Sequence, residues 1–197
     1  MARKRGRGGN PKYVGSCGIY VFVRAPGAGG SAQLLVHRRS RQVFQPNTVS
    51  SPGGIVEREL CGPDGADFES GARTAAVREL HEETGVQLSL EMVDGLGLLP
   101  VGDGAHWGAA MHRNYFVVLP SHPDVTGPEK ASKHELVPNG MDGIGCPAGD
   151  GYNAWVDVHE LLGRDDLMPQ CRVPLEHAVK TEPWASVDAG HAEGDCD

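Results

Sequence analysis

Long apolar runs are missing from this 197-residue chain. Tyr115–Leu119 is among the longest, far short of the ~20 residues that cross a bilayer as a helix. The basic start, Arg3 to Arg7, runs into Gly8-Gly9-Asn10-Pro11, where a signal peptide would need an apolar stretch. Paired cysteines are missing too. Cys17, Cys61, Cys146, Cys171 and Cys196 are odd in number, widely spaced and without a C-x-x-C pair. Neither a zinc site nor a disulfide framework is signalled, and a reducing compartment fits. These absences together imply a soluble, intracellular protein, cytoplasmic by default, with no membrane partner. Positive charge is also short: Lys and Arg number 18 against 26 Asp and Glu, a formal net charge of −8. Such a chain repels phosphates and is a poor non-specific binder of nucleic acid. An anionic substrate would need a divalent cation to bridge the two. The glycines between Gly140 and Gly151 lack the Lys-Ser/Thr ending of a P-loop, and no internal repeat is visible.

What is present is one domain between two polar tails. Residues 1–12 carry Arg3, Lys4, Arg5, Arg7 and Lys12 among glycines and offer no core. They read as a basic flexible tail, serving as a solubilising segment, an address signal or an RNA-touching arm. Residues 179–197 read as an acidic flexible tail, with Glu182, Asp188, Glu193, Asp195 and Asp197 and no Lys or Arg after Lys180. In the intervening 13–178, Cys17–Val23 and Gln33–His37 read as the strands of a hairpin across a Gly-rich turn. Asn47–Gly54 reads as a turn-rich approach. A helix is expected over 70–84, with Ser70 as N-cap and Gly85 at the left-handed closing position. Val93–Leu99, Met111–Leu119 and Trp155–Val158 read as further strands. Helices are expected from His159 and over Pro174–Lys180. Residues 120–151 form a long irregular segment, which tends to be functional or mobile, and within it the stretch from Gly140 to Gly151 reads as a mobile loop that could serve as a lid. Strands and helices without a regular βαβ rhythm imply a mixed sheet with helices on it.

Chemistry concentrates in Arg78-Glu-Leu-His-Glu-Glu-Thr-Gly-Val86. On a helix, with about 100° per residue, Glu79, Glu82 and Glu83 fall within one arc. Ala72, Ala75 and Ala76 share that face one turn earlier, where small side chains would leave room for a ligand. Val77, Leu80 and Thr84 would anchor the helix to the core. The carboxylates repel one another by about 0.2–0.5 kcal/mol per pair, and two of them oppose the dipole in the last turn. A divalent cation removes both penalties, and hard oxygen ligands suit Mg²⁺ or Mn²⁺. A Glu-rich solvated helix end is the plain alternative.

The segment resembles the second half of the Nudix box, G-x5-E-x7-R-E-U-x-E-E-x-G-U with U a bulky aliphatic residue, at every fixed position. Pro52-Gly-Gly-Ile-Val-Glu57 resembles its opening, and Trp155–Leu161 resembles the strand-to-helix step near the end of Nudix domains. The resemblance implies an α/β fold, an α/β/α sandwich with a mixed β-sheet. It implies a Mg²⁺- or Mn²⁺-dependent hydrolase that cleaves a phosphoanhydride bond in a nucleoside diphosphate linked to another moiety. RNA decapping, helped by the basic arm, and a catalytically inactive RNA- or nucleotide-binding module are the alternatives. It further implies that Glu79 and Glu83 are the principal metal ligands, with Glu82 and the Gly54 carbonyl beside them, and that Arg78 holds Glu79 by a charge-assisted hydrogen bond. Two departures stand out. Gly54 and Arg78 are 24 positions apart, against 14 in the pattern, so about ten residues, Arg58 to Asp67, are inserted in the box. The position eight before Arg78 holds Ser70 instead of Glu, and its neighbour Glu69 is the expected substitute. Glu135, with Glu129 behind it, is the candidate for a further carboxylate. His106, Trp107, His112, Tyr115 and Trp155 are types that can stack on a base but also read as packing. Arg38 and Arg39 could meet phosphates.

Overall fold

The computed structural model describes residues 12–24, 31–39, 45, 47–93, 112–123 and 152–185. The structure is built on a six-stranded mixed sheet: β1 (Tyr13–Arg24), β2 (Ala32–Arg38), β3 (Val49–Ser50), β4 (Gly53–Glu57), β5 (His112–Leu119) and β6 (Tyr152–Asp157). The longest strand, β1, organises it. One edge of β1 pairs parallel with β5 over Ser16–Val23. The other edge is shared: its first half pairs antiparallel with β4, and Phe22–Arg24 pair antiparallel with β2. Between those two partners the Ile19 N–H donates to the Pro52 carbonyl at 2.9 Å. The other edge of β2 carries β6.

Alternation along β1 divides the core in two. Cys17, Ile19, Val21 and Val23 face α1 (Phe68–Thr84), together with Ala72, Ala75, Ala76 and Leu80 of that helix. Tyr20 and Phe22 face the other way, into a cluster with Val158 and Leu161 of α3 (Val158–Leu162) and Leu175 and Ala178 of α4 (Pro169–Thr181). Helices therefore cover both faces, an α/β/α sandwich with a mixed sheet. The parallel β1–β5 pair demands a crossover connection, and α1 lies on that path.

Several elements differ from their sequence expectation. The hairpin and β5 stand as expected, but Asn47–Gly54 contributes β3 and the start of β4. The α1 helix opens two residues earlier than Ser70. Asp67 is its cap, accepting from the Ser70 N–H at 3.0 Å. Ser70 is thus the third helical residue, the position whose N–H a capping side chain reaches, and it donates to the cap instead of forming it. Gly85 closes the helix at φ 76°, as expected. The inserted stretch is not an open loop. It forms two short 3-10 turns, Arg58–Cys61 and Pro63–Gly65, and buries Cys61 against α1. A Cβ on Gly71 would lie 2.4 Å from Cys61 Sγ, so the absent side chain is what lets the insertion close on the helix. Val93 ends a short helix α2 (Leu90–Val93), and the rest of the expected strand to Leu99 lies outside the described residues. Val158 belongs to α3, capped by Asp157, which accepts from the His159 and Glu160 N–H groups.

The domain boundary also moves. Helix α4 runs through Thr181, past the expected end at 178, and Trp184 is 1% exposed, with its ring 5.2 Å from that of Phe22. An aromatic side chain of that size packs into the second core rather than into an acidic tail. Truncating a buried Trp costs about 3–5 kcal/mol. Trp184→Ala is therefore expected to lower the urea midpoint by a corresponding amount, and an unchanged midpoint would return residues 179–185 to the tail.

Candidate functional site

The last two turns of α1 lie beside β4, and Gly53 and Gly54 make that approach possible. A Cβ on Gly54 would sit 2.4 Å from Glu79 Cδ. The carboxylate thus rests against the bare backbone of the strand. Next to it, the Gly53 N–H donates to Glu83 Oε2 at 3.1 Å. Glu83 is 7% exposed, a burial that charged side chains rarely reach unless paired. The Asn153 amide of β6 donates to the Glu83 carbonyl at 2.9 Å, tying the end of α1 to the far side of the sheet.

Arg78 gathers the acidic groups. Its Nη2 donates to Glu79 Oε1 at 2.6 Å and its Nη1 to Glu57 Oε2 at 3.0 Å. Its Nε lies 4.0 Å from Glu82 Oε1, one turn on. Glu79, Glu82, Glu83, Arg78 and Gly54 are thus neighbours at the end of α1. Glu57 joins them without having been singled out: it ends β4, and the packing of α1 beside that strand, not local spacing, carries it to Arg78. Glu69 does not take the place left by Ser70. Its carboxylate accepts from Arg113 Nε at 3.0 Å and from the Tyr115 hydroxyl at 2.9 Å, which ties the first turn of α1 to β5. The expected ligand space beside Ala72, Ala75 and Ala76 is not there either. All three are fully buried in the first core, where small side chains let the helix approach the sheet closely.

Among the aromatic and basic candidates, Tyr115 is core, and Trp155 packs at its margin with His122 edge-on at 4.9 Å. Arg38 pairs with Asp166 at 3.7 Å. Glu129, Glu135, His106, Trp107 and the expected lid over 140–151 lie outside the described residues.

The electrostatics follow from this packing. Burial pushes the Glu79 carboxyl up, against the hydrogen bond and charge of Arg78, while Glu82 and Glu57 push it up further. Partial burial opposes the Arg78 charge, but hydrogen bonds to Glu79 and Glu57 outweigh it and raise the guanidinium above its usual value. Behind Gly54, the Cys17 thiol donates to the Gly54 carbonyl at 3.7 Å, and burial pushes it up to about 12, so it stays a thiol.

Hard carboxylate oxygens next to a backbone carbonyl suit Mg²⁺ or Mn²⁺. Among the described residues no three His, Cys, Asp or Glu side chains already converge as a ligand cluster; Glu79 and Glu83 are instead turned to Arg78 and the Gly53 N–H. Mg²⁺ is typically held by one or two carboxylates with water and substrate phosphate completing the shell. Two carboxylates one turn apart therefore fit, with no preformed cage.

The family model for the NUDIX domain matches residues 18–175. The chain belongs to the Nudix family. Solved structures of this family share its fold. A Nudix hydrolase from M. smegmatis, RenU, is similar with a TM-score of 0.54 at 19% identity over 88% of this chain and 87% of that one. A C. elegans Ap4A hydrolase, as a binary complex, is similar at TM-score 0.51 and 14% identity over 84% of this chain and 96% of that one. A bifunctional NMN adenylyltransferase/ADP ribose pyrophosphatase from Francisella tularensis, complexed with AMP and a Mn ion, is similar at TM-score 0.54 and 14% identity, over 89% of this chain and 43% of that one. No curated protein matches the chain by sequence. No helix among the described residues is long and apolar enough to cross a membrane.

Two measurements test this Nudix site. In the metal-free protein, a carboxyl NMR titration is expected to place Glu79 above the ordinary Glu range of about 4.3, and Arg78→Gln is expected to raise it further, because the guanidinium favours the charged form. A ligand must be ionised, so divalent affinity falls as pH drops and begins to fall at a higher pH than for an ordinary carboxylate. A Glu79 that titrates at or below the ordinary value would contradict the burial described. Gly54→Ala is expected to displace Glu79 and weaken Mn²⁺ binding with the fold intact by circular dichroism; unchanged binding would mean that strand and carboxylate are not in contact.

Proposed function

We propose that this Nudix-family chain is a divalent-metal-dependent hydrolase that cleaves the phosphoanhydride bond of a nucleoside diphosphate linked to another moiety. The observation that carries this reading is the seating of Glu79 and Glu83, one turn apart, against Gly54 and Gly53, with Arg78 joining Glu79 to Glu57. Such a cluster works against stability: like charges repel, and the helix dipole disfavours anions in its last turn. A function that needs concentrated negative charge accounts for it. Glu79, Glu82, Glu83 and the Gly54 carbonyl would hold Mg²⁺ or Mn²⁺. The bound ion supplies polarisation of a phosphoryl oxygen and activation of water. The protein's own part is positional. Arg78 fixes the Glu79 carboxylate through a charge-assisted hydrogen bond, the Gly53 N–H fixes Glu83, and Asn153 holds the end of the helix that carries both. The similar structures described as an Ap4A hydrolase and as an ADP ribose pyrophosphatase with AMP and manganese support a nucleotide substrate for this fold.

A panel of nucleoside triphosphates, dinucleoside polyphosphates, nucleotide sugars, nucleotide coenzymes and capped RNA, each with Mg²⁺, tests the reading. At least one is expected to be hydrolysed at a phosphoanhydride bond. Glu79→Gln and Glu83→Gln should abolish turnover, and Arg78→Gln, which acts through Glu79, should cost about 10–100-fold. Turnover that survives both Glu substitutions contradicts the assignment. Tight nucleotide binding without turnover would make the chain a binding module.

A further inference from the structure

The N-terminal segment leaves the fold beside the acidic site. Residues 1–11 lie outside the described residues, but the point where they join the sheet is fixed. The Lys12 carbonyl accepts from the Arg58 N–H at 3.0 Å, and Tyr13, the first residue of β1, pairs with Glu57 of β4. Glu57 is the carboxylate that Arg78 joins to Glu79. The basic run Arg3-Lys-Arg-Gly-Arg7 is therefore tethered one strand spacing, about 4.8 Å, from the edge of the glutamate cluster. Each residue adds at most about 3.6 Å of reach, so Arg7 stands within about 18 Å of Lys12.

The surface at this junction combines apolar area with positive charge. Tyr13 is 44% exposed and Ile55, two residues before Glu57, is 39% exposed. Lys12 Nζ lies over the Tyr13 ring at 5.5 Å. Arg58 is held close by the insertion, its Nη1 donating to the Asp64 carbonyl at 2.9 Å. Single-stranded nucleic acid is bound by surfaces of this kind: bases stack on an aromatic face, and the backbone follows the cations. Charge is also segregated along the chain. Residues 1–12 hold five of the 18 Lys and Arg and no Asp or Glu, so the rest of the molecule is more acidic than the net charge of −8 suggests. An acidic body repels a polyanion, and this corner is where attraction is concentrated. A mononucleotide bridged by metal to the glutamates gains little from cations strung along twelve residues. A polynucleotide, with a phosphate at every unit, gains from each of them.

We propose that the substrate is a single-stranded polynucleotide carrying its phosphoanhydride at the 5′ end, with a base near that end stacked on Tyr13 and the following phosphates met by Lys12 and the cations of residues 3–7. The placing of the 5′ end rests on the hydrolase reading of the glutamates. The basic segment binds the strand and takes no part in the chemistry.

The test uses the full-length protein: wild type, a variant with Arg3, Lys4, Arg5 and Arg7 all changed to Gln, and Tyr13→Thr, whose β-branched side chain suits a strand. RNA and DNA strands of about ten nucleotides, with a 5′ triphosphate and a 3′ dye, are titrated by fluorescence anisotropy in Mg²⁺ over about 50–200 mM salt, with mononucleoside triphosphates as competitors. The wild type should bind one or both strands at least about tenfold more tightly than any mononucleotide, log Kd rising with log salt by about 0.7 for each phosphate met. The fourfold variant should lose that advantage and flatten the slope. Tyr13→Thr should weaken strand binding about fivefold or more and keep the slope. Affinity is read as the ratio of strand to mononucleotide within one sample, so partial unfolding cannot imitate its loss. A wild type that does not favour a strand overturns the proposal, as does a fourfold variant with ratio and slope unchanged. Phosphatidylserine vesicles that bind through the same cations while the strands do not would overturn it as well. Mononucleotide hydrolysis without strand binding would sink this inference alone. Strand binding that needs the basic segment, without phosphoanhydride turnover of any substrate, would sink the hydrolase reading and leave the binding surface standing.

Discussion

The Arg78 guanidinium, held between Glu57 and Glu79 and within 4.0 Å of Glu82, is the contact on which the acidic site depends. Without it, the carboxylates of Glu57, Glu79 and Glu82, from a strand end and a helix end, would lose the cation they share. Burial raises the cost of charge on Glu79, and Arg78 opposes that rise. The guanidinium is always protonated and offers a planar fork, so it can serve two carboxylates at once where an ammonium could not do so with the same geometry. It leaves net negative charge at the helix end, which is the condition a divalent cation needs.

The rest of the fold serves that contact by controlling distance. The Gly53–Gly54 pair removes the side chains that would hold α1 away from β4, and a Gly53 Cβ would lie 2.3 Å from the Cys17 carbonyl. Ala72, Ala75 and Ala76 bring the helix down onto the sheet, Gly85 ends it just after the glutamate run, and Asn153 pins that end from β6. The ten-residue insertion could have disturbed all of this. It instead folds into 3-10 turns seated on α1 through Cys61 and Gly71, which lengthens the connection without moving the helix away from the strand.

Much of this is legible in the chain. The glutamate spacing, the Gly85 stop and the alternation of Cys17–Val23 are local patterns, and local patterns survive in sequence. What is not legible depends on pairing between distant segments. Glu57 is 21 positions before Arg78, and no helical or strand period links them; only the packing of α1 beside β4 does. Glu69 is adjacent in sequence to Ser70, where the box has its missing glutamate, but on a helix an adjacent residue points about 100° away, here towards Arg113 and Tyr115. Helical face alone does not settle the alanines. A helix beginning at Phe68 and packed on β1 turns that part of the face inward, while the glutamates further along emerge at the edge of the sheet. Trp184 sits in an acidic composition that says nothing of its neighbours in the second core.

The most direct test of the central claim is the unfolding free energy of the wild-type protein, measured by urea denaturation with and without Mg²⁺ or Mn²⁺, in the presence and absence of nucleotide. A cation that binds the folded glutamate cluster stabilises it by mass action, about 2.7 kcal/mol at a hundredfold excess over its dissociation constant. The account predicts such a rise, and its loss when Glu79 and Glu83 are both replaced by Gln. A stability that neither ion changes under any of these conditions would mean that the acidic groups around Arg78 do not gather a metal at all.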